Sequence, residues 1–285
     1  MLVLVGLVIV VGSVLGGFVL EKGNLHVLFQ PAELIIIFGS SFGAFLISAK
    51  PKVVSQVARN LTSVVSSKGY GKQNYIEILT LLFHLFSRIR KEGLISVEAD
   101  IENPGKSPFF TKHASALANK HAIEFICDNL KVIIASNVPS HELESLMELE
   151  IETRHHDEMV PSHLVSKTAD ALPGLGIVAA VLGVVLTMSN IDKPPAVLGH
   201  SIGAALVGTF LGVFMCYGVV GPIATTLEAK VKEDTTYFNV IKVAMVAFVR
   251  GAAPQMAVEF GRRAIPGAEK PSFDELEKAV RGAKP

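Results

Sequence analysis

The chain has 285 residues, 50% of them hydrophobic and only 18% charged, with a mean hydropathy of +0.46; that balance excludes an ordinary soluble domain as the first reading and points to a membrane protein. The 26 Lys and Arg cancel the 26 Asp and Glu, which argues against nucleic acid as the main partner. Two cysteines, Cys127 in an expected soluble helix and Cys216 in an expected span, imply no disulfide framework.

In chain order, Met1–Leu20 is uncharged and reads as a first span. It has neither a positive start nor a small-residue cleavage site before Glu21, so it is expected to be retained. A short loop, Glu21–Gln30, leads to the second span, Pro31–Ala49, with Glu33 near its outer edge. A long polar stretch follows from Lys50 to Asp170. Within it, Asn74–Glu92 carries Ile76, Leu79, Phe83, Phe86 and Ile89 at helical spacing. Arg88, Arg90 and Lys91 fill its last turn and Gly93 can end it. Ser96 reads as the N-cap of a next helix with Glu98 in its first turn. Pro104 and Pro108 bracket a loop, and a helix from about His113 to Ala135 follows. Pro139 and Ser140 then open an acidic helix containing Glu142, Glu144, Glu148, Glu150 and Glu152.

The third and fourth spans, Ala171–Met188 and Ile202–Val220, form a Gly- and Ala-rich hairpin joined by Ser189–Ser201. In the tail, the apolar run Val240–Val249 has Lys242 at its middle. An unpaired Lys at the bilayer centre costs roughly 2.5–3.5 kcal/mol, so that run reads as a buried or membrane-skirting helix rather than a fifth span. Ser272 and Glu275 have capping-box spacing after Pro271.

The expected fold is an all-α membrane protein with four transmembrane helices, a helical cytoplasmic domain between spans two and three and a helical cytoplasmic tail. Expected divisions are 1–49, 50–169, 170–227 and 228–285. Orientation follows from charge. All Lys and Arg except Lys22 and Lys193 lie in the 50–170 stretch or the tail, which puts both on the cytoplasmic side.

Four GxxxG spacings, Gly12–Gly16, Gly39–Gly43, Gly199–Gly203 and Gly208–Gly212, suit tightly packed spans and an oligomer. Gly174–Ala179 imitates a dinucleotide fingerprint and Gly39–Gly43 a nucleophile elbow, but both lie inside spans without a preceding strand. No membrane base stands ready for a serine nucleophile, so the chain is not read as an enzyme. His155, His156, Asp157 and Glu158 read as a solvated helix end rather than a metal site. No Asp or Glu is expected in the interior of any span, although membrane proton relays normally use buried carboxylates or His. An ion-moving role would therefore need a carboxylate from a partner. Ser13, Ser40, Ser41, Thr187, Thr209 and Tyr217 could line a path, or the hydroxyls could simply bond the backbone. Two readings are also open for Pro173 and Pro222: they free backbone carbonyls and allow a bend, or they merely start one helix and interrupt another. Arg90 and Glu98 have a dipole-complementing explanation at helix ends beside a functional one.

Several stretches together have a family likeness: Gln30–Leu34, Glu98–Pro104, Leu172–Ala180, Val207–Gly212, and Ala257–Arg263 followed by Pro271–Phe273. With the span arrangement, they resemble the MotA family of flagellar motor stator proteins over nearly the whole chain. The resemblance implies an inner-membrane subunit, without cofactor, in a five-copy ring around a dimer of MotB, which supplies the membrane aspartate that takes the proton. It implies that ion flow drives the rotor protein FliG through Arg90, Glu98 and Glu150. It implies that Pro173 and Pro222 couple conduction to conformational change, and that Ala180, Thr209 and Tyr217 belong to the ion path. Sodium-driven relatives carry Thr where Ala180 stands, so proton coupling is expected. The alternatives are an ExbB/TolQ-type proton-driven energiser, whose members have three spans, and a non-conducting membrane scaffold.

Overall fold

The computed structural model describes residues 2–66, 69–136 and 138–282. Met1 of the expected first span and the end of the expected tail beyond Gly282 lie outside the described residues. Every regular element among those residues is helical. In order they are α1 (Leu2–Leu20), α2 (Leu25–Leu28), α3 (Pro31–Leu34), a π-helical turn (Ile35–Gly39), α4 (Ser40–Ser48), α5 (Pro51–Ser66) and α6 (Lys72–Glu92). A 3-10 turn (Leu94–Val97) leads to α7 (Glu98–Glu102), α8 (Pro108–Thr111), α9 (Ala114–Ala118), α10 (Lys120–Ala135), α11 (Ser140–Met188) and α12 (Pro195–Met215). A second π-helical turn (Cys216–Val220) precedes α13 (Gly221–Val249), α14 (Pro254–Arg263) and α15 (Phe273–Gly282). Among the described residues, four helical runs are long and apolar enough to cross a membrane: Leu2–Leu20, Leu25–Ser48, Ser140–Met188 and Pro195–Val249.

Backbone contacts divide the chain into two units. One comprises Met1–Ser67 with Glu158–Lys230, the other Lys68–Asp157 with Val231–Pro285. Helices α11 and α13 each contribute to both.

In the first unit, α1 is apolar on every side and buries none of its residues within the chain, as suits a helix solvated by lipid. The expected loop Glu21–Gln30 is partly helical: the Asn24 side chain accepts from the His26 N–H and starts α2. Pro31 opens α3 at a position where its missing N–H is no loss. The same logic moves the start of the fourth membrane helix. Pro195 opens α12, so this helix begins well before Ile202 and the connection shrinks to residues 189–194, with His200 and Ser201 inside the helix. Two small apolar clusters hold this unit. Ile37, Ala169, Leu172, Ala179 and Cys216 form one, and Val57, Val165, Ala224 and Leu227 the other.

The second unit is built around α6, where Ile78, Leu79, Leu82, Leu85 and Phe86 are fully buried. Phe86 stacks on Phe248 at 4.3 Å and Tyr70 on Tyr237 at 4.0 Å between ring centroids. Gly93 ends α6 with φ +87°, a conformation that favours glycine. The expected cap at Ser96 is not formed. The 3-10 turn runs directly into α7, Ser96 Oγ donates to the Gly93 carbonyl at 2.7 Å, and Val97 occupies the cap position without a side-chain bond. The expected helix from His113 is broken at Asn119, whose side chain caps α10 by accepting from the Ala122 N–H. Lys242 is paired with Glu148, and its neighbours Val240, Ile241 and Ala244 are fully buried in the unit's core. The Ser272–Glu275 box forms as spaced: the Ser272 N–H donates to Glu275 Oε2 at 2.6 Å and the Glu275 N–H to Ser272 Oγ at 3.1 Å.

Candidate functional site

The third and fourth membrane helices approach through bare backbone. A Cβ added at Gly176 of α11 would stand 2.7 Å from the Gly208 carbonyl and 3.3 Å from the Thr209 Cα. One added at Gly212 would stand 2.5 Å from the Leu172 carbonyl. Gly183 meets Ala205 in the same way, at 2.6 Å. Such a seam allows close helix contact in lipid, where the hydrophobic effect gives no drive. Of the four GxxxG pairs, Gly208–Gly212 is the one used inside this chain; Gly12, Gly16, Gly39, Gly43, Gly199 and Gly203 meet nothing within 4 Å. Gly176 and Gly183, which complete the seam, belong to no GxxxG pair, and their role became visible only from the partner helix.

The candidate ion-path residues divide. Thr209 sits beside the Gly176 crossing and is half-buried; Ala180, one helical turn from Gly176, is half-buried too. Tyr217 lies about two turns beyond Thr209, inside the second π turn, and is 74% exposed. The helices do not stop at the two prolines. Pro173 is inside α11 rather than at a helix start, and its missing N–H leaves the Ala169 carbonyl without a helical donor. Pro222 is the second residue of α13, with Gly221 between it and the π turn Cys216–Val220. A wide turn there takes up the break without ending the helix. Thr187 Oγ1 donates to the Gly183 carbonyl at 2.8 Å, the backbone-bonding alternative for that hydroxyl.

Glu33 departs from expectation. Its residue is only 7% exposed, and its Oε2 would stand 2.7 Å from a Cβ at Gly208, with Oε1 3.5 Å from one at Gly183. The carboxylate is therefore lodged against the seam between α11 and α12. Glu33 itself stands in the first turn of α3, which Pro31 opens after the extended residues Phe29 and Gln30, so the span begins where hydropathy puts it and the departure is the enclosure of the carboxylate.

In the second unit, Arg90 and Glu98 are both exposed. The structural ties at this corner are made by Arg88, which donates to Asp100 at 2.6 Å, to the Ser96 carbonyl at 2.7 Å and to Glu92 at 3.1 Å. Arg90 reaches only the Gly251 carbonyl, at 3.3 Å. On the acidic helix, Glu144 and Glu148 pair with Arg250 and Lys242. Glu150 accepts from the buried Asn129 at 3.3 Å. Among the described residues no group of three His, Cys, Asp or Glu could hold a metal ion; His155 shares a 2.8 Å hydrogen bond with Thr235.

Two family models match: Motility protein A N-terminal over residues 4–93, and the MotA/TolQ/ExbB proton channel family over residues 108–239. Motility protein A of Salmonella typhimurium is 40% identical over 284 residues, covering 100% of this chain and 96% of the relative. The chain belongs to the Motility protein A family. Chemotaxis protein LafT of Vibrio parahaemolyticus is 34% identical, covering 96% of each. The fold matches that of the C. jejuni MotAB structure with a TM-score of 0.77, covering 93% of this chain and 95% of that one at 20% identity. It also matches the flagellar MotAB stator complex from Bacillus subtilis, with a TM-score of 0.76 over 94% and 98% at 22% identity. Membership of the Motility protein A family over the full length takes precedence over the ExbB/TolQ reading, which shares only the second family model.

Proposed function

We propose that this chain is the stator subunit of a flagellar motor that conducts protons across the inner membrane together with MotB and turns that flow into torque on FliG. The observation that carries the reading is the full-length likeness to Motility protein A; the glycine seam of α11 and α12 gives it a mechanism. Five copies surround a MotB dimer, whose aspartate takes the proton. Residues 50–169 form the rotor-facing cytoplasmic domain, 170–227 the ion-path hairpin, and 228–285 a cytoplasmic tail.

One elementary charge crossing 100 mV releases about 2.3 kcal/mol. Neutralising the partner's aspartate removes a buried charge and changes which ring subunit packs best against it. Thr209 and Ala180 line the route, with Tyr217 at its end. The breaks at Pro173 and Pro222 let the hairpin bend, and Arg90, Glu98 and Glu150 meet opposite charges on the rotor. Exposed ion pairs are worth only about 0–1 kcal/mol each, so reversing a charge hurts more than removing it.

The test measures swimming and membrane proton leak for Pro173→Ala and Arg90→Glu, with the membrane level of each variant checked. Pro173→Ala lowers both readouts, whereas Arg90→Glu lowers swimming and leaves the leak unchanged. Normal swimming in both variants overturns the stator reading.

A further inference from the structure

The proposed function gives the proton-binding carboxylate to a partner chain, yet this chain buries one of its own. Glu33 is 93% enclosed by the chain itself, being only 7% exposed, and its Oε2 has no hydrogen-bond partner among the described residues. Its oxygens lie beside Gly183 and Gly208, and the side chains nearest those two positions, Ala205 and Ala179, are uncharged. Room for it exists because two of the four are glycines: a methyl at Gly208 would meet Oε2 at 2.7 Å. A carboxylate enclosed in an apolar helix seam, without counter-charge or donor, is costly when ionised and comfortable only while it carries a proton or a cation. Residues of that kind inside membrane proteins mark ion routes. Ala179 and Gly208 each adjoin a candidate ion-path residue, Ala180 and Thr209.

We propose that Glu33 is a second proton-binding carboxylate of the ion path, supplied by this chain in the seam of the third and fourth membrane helices. This rests on the stator reading above. An O–H bond forms at the Glu33 carboxylate as a hydronium ion at the 189–194 end of the hairpin gives up its proton and becomes water. That bond then breaks as the proton passes inward to the partner's carboxylate, so each transfer leaves Glu33 as it began. The glycines keep room for the carboxylate and admit no side chain that would hold it in a fixed hydrogen bond.

The decisive comparison uses the full complex, co-expressed with its partner in sodium-free medium, with membrane level and proton leak measured together. Glu33→Gln keeps size and hydrogen-bonding capacity but cannot exchange a proton in this way. Its leak falls about a hundredfold at equal membrane level, the lower end of what a positioned proton-transfer group contributes. Glu33→Asp restores part of the leak with a shifted pH midpoint. A residue serving only to fill the seam would tolerate Gln and show no shift, so full leak in Glu33→Gln overturns the proposal. Should Glu33→Gln fail to accumulate, Glu33→Asp decides: a leak and pH midpoint identical to the parent overturn it. Absence of partner-dependent leak in the parent protein would instead overturn the stator reading itself, which separates the two failures.

Discussion

Glu259 accepts from two arginines on its own helix: Arg262 Nε and Nη2 at 2.7 Å each, and Arg263 Nε at 2.9 Å. The Glu259 and Arg262 side chains are 13% and 14% exposed, so the pair is largely out of water. Hydrogen bonding from Arg262 pulls the Glu259 carboxyl down to about 2. A carboxyl lowered on folding contributes stability above its unfolded value, 4.5, and that contribution is lost as pH falls toward the folded value near 2. The second unit therefore weakens in acid below about 4.5, and Glu259→Gln removes most of that dependence while costing roughly 2 kcal/mol at neutral pH. Acid titrations of the detergent-solubilised protein, followed by circular dichroism, check both; an unaltered acid limb in Glu259→Gln contradicts the assignment. At Arg90 the same scale gives a different expectation. With Arg88 holding the α6–α7 corner, Arg90→Glu accumulates normally, and only the rotor readout falls.

At the scale of elements, the seam between α11 and α12 makes a sharp contrast within one helix. Gly176 would clash with the Gly208 carbonyl if it carried a Cβ, whereas Gly174, two positions away, meets nothing within 4 Å. Alanine favours a helix by about 1 kcal/mol over glycine, and overpacking costs about 1–3 kcal/mol. Gly174→Ala is therefore neutral or slightly stabilising, while Gly176→Ala lowers the unfolding midpoint; equal midpoints would show that the seam is not tight. Some elements built on periodicity and caps were readable beforehand: the stop of α6 at Gly93, the Ser272–Glu275 box, and part of the apolar face of α6, where Leu79, Phe86 and Ile89 are buried as spaced but Ile76 and Phe83 are only half-buried. The π turns were not, because a hydropathy pattern says nothing of which carbonyl a given N–H finds. The enclosure of Glu33 was hidden for a related reason. Its place in the first turn of a span is legible, but only the glycines of the facing helices show that its carboxylate is walled in.

For the whole molecule, the proposed coupling rests on Ala180, where a methyl offers a sodium ion nothing in exchange for its hydration shell. Swimming in sodium-free medium with an intact proton gradient is the expected outcome, and its loss would overturn proton coupling. A Cβ added at the glycines of α1, or at 39, 43, 199 or 203, would meet nothing within 4 Å outside its own turn of helix among the described residues. Their smooth faces suit contact with further copies, in keeping with the proposed ring.

The π turn at Cys216–Val220 has a consequence for how this gene can vary in length. Such a turn is the trace of one extra residue absorbed into a helix, and each residue turns the helix by about 100°. Ala224 and Leu227, just beyond it, share a buried cluster with Val57 and Val165. Removing one residue between 216 and 220 would close the wide turn into an ordinary helical one and keep Ala224 and Leu227 on that cluster, whereas the same deletion in the regular helix beside it would swing both side chains away, so a single-residue deletion is better absorbed at this turn than next to it.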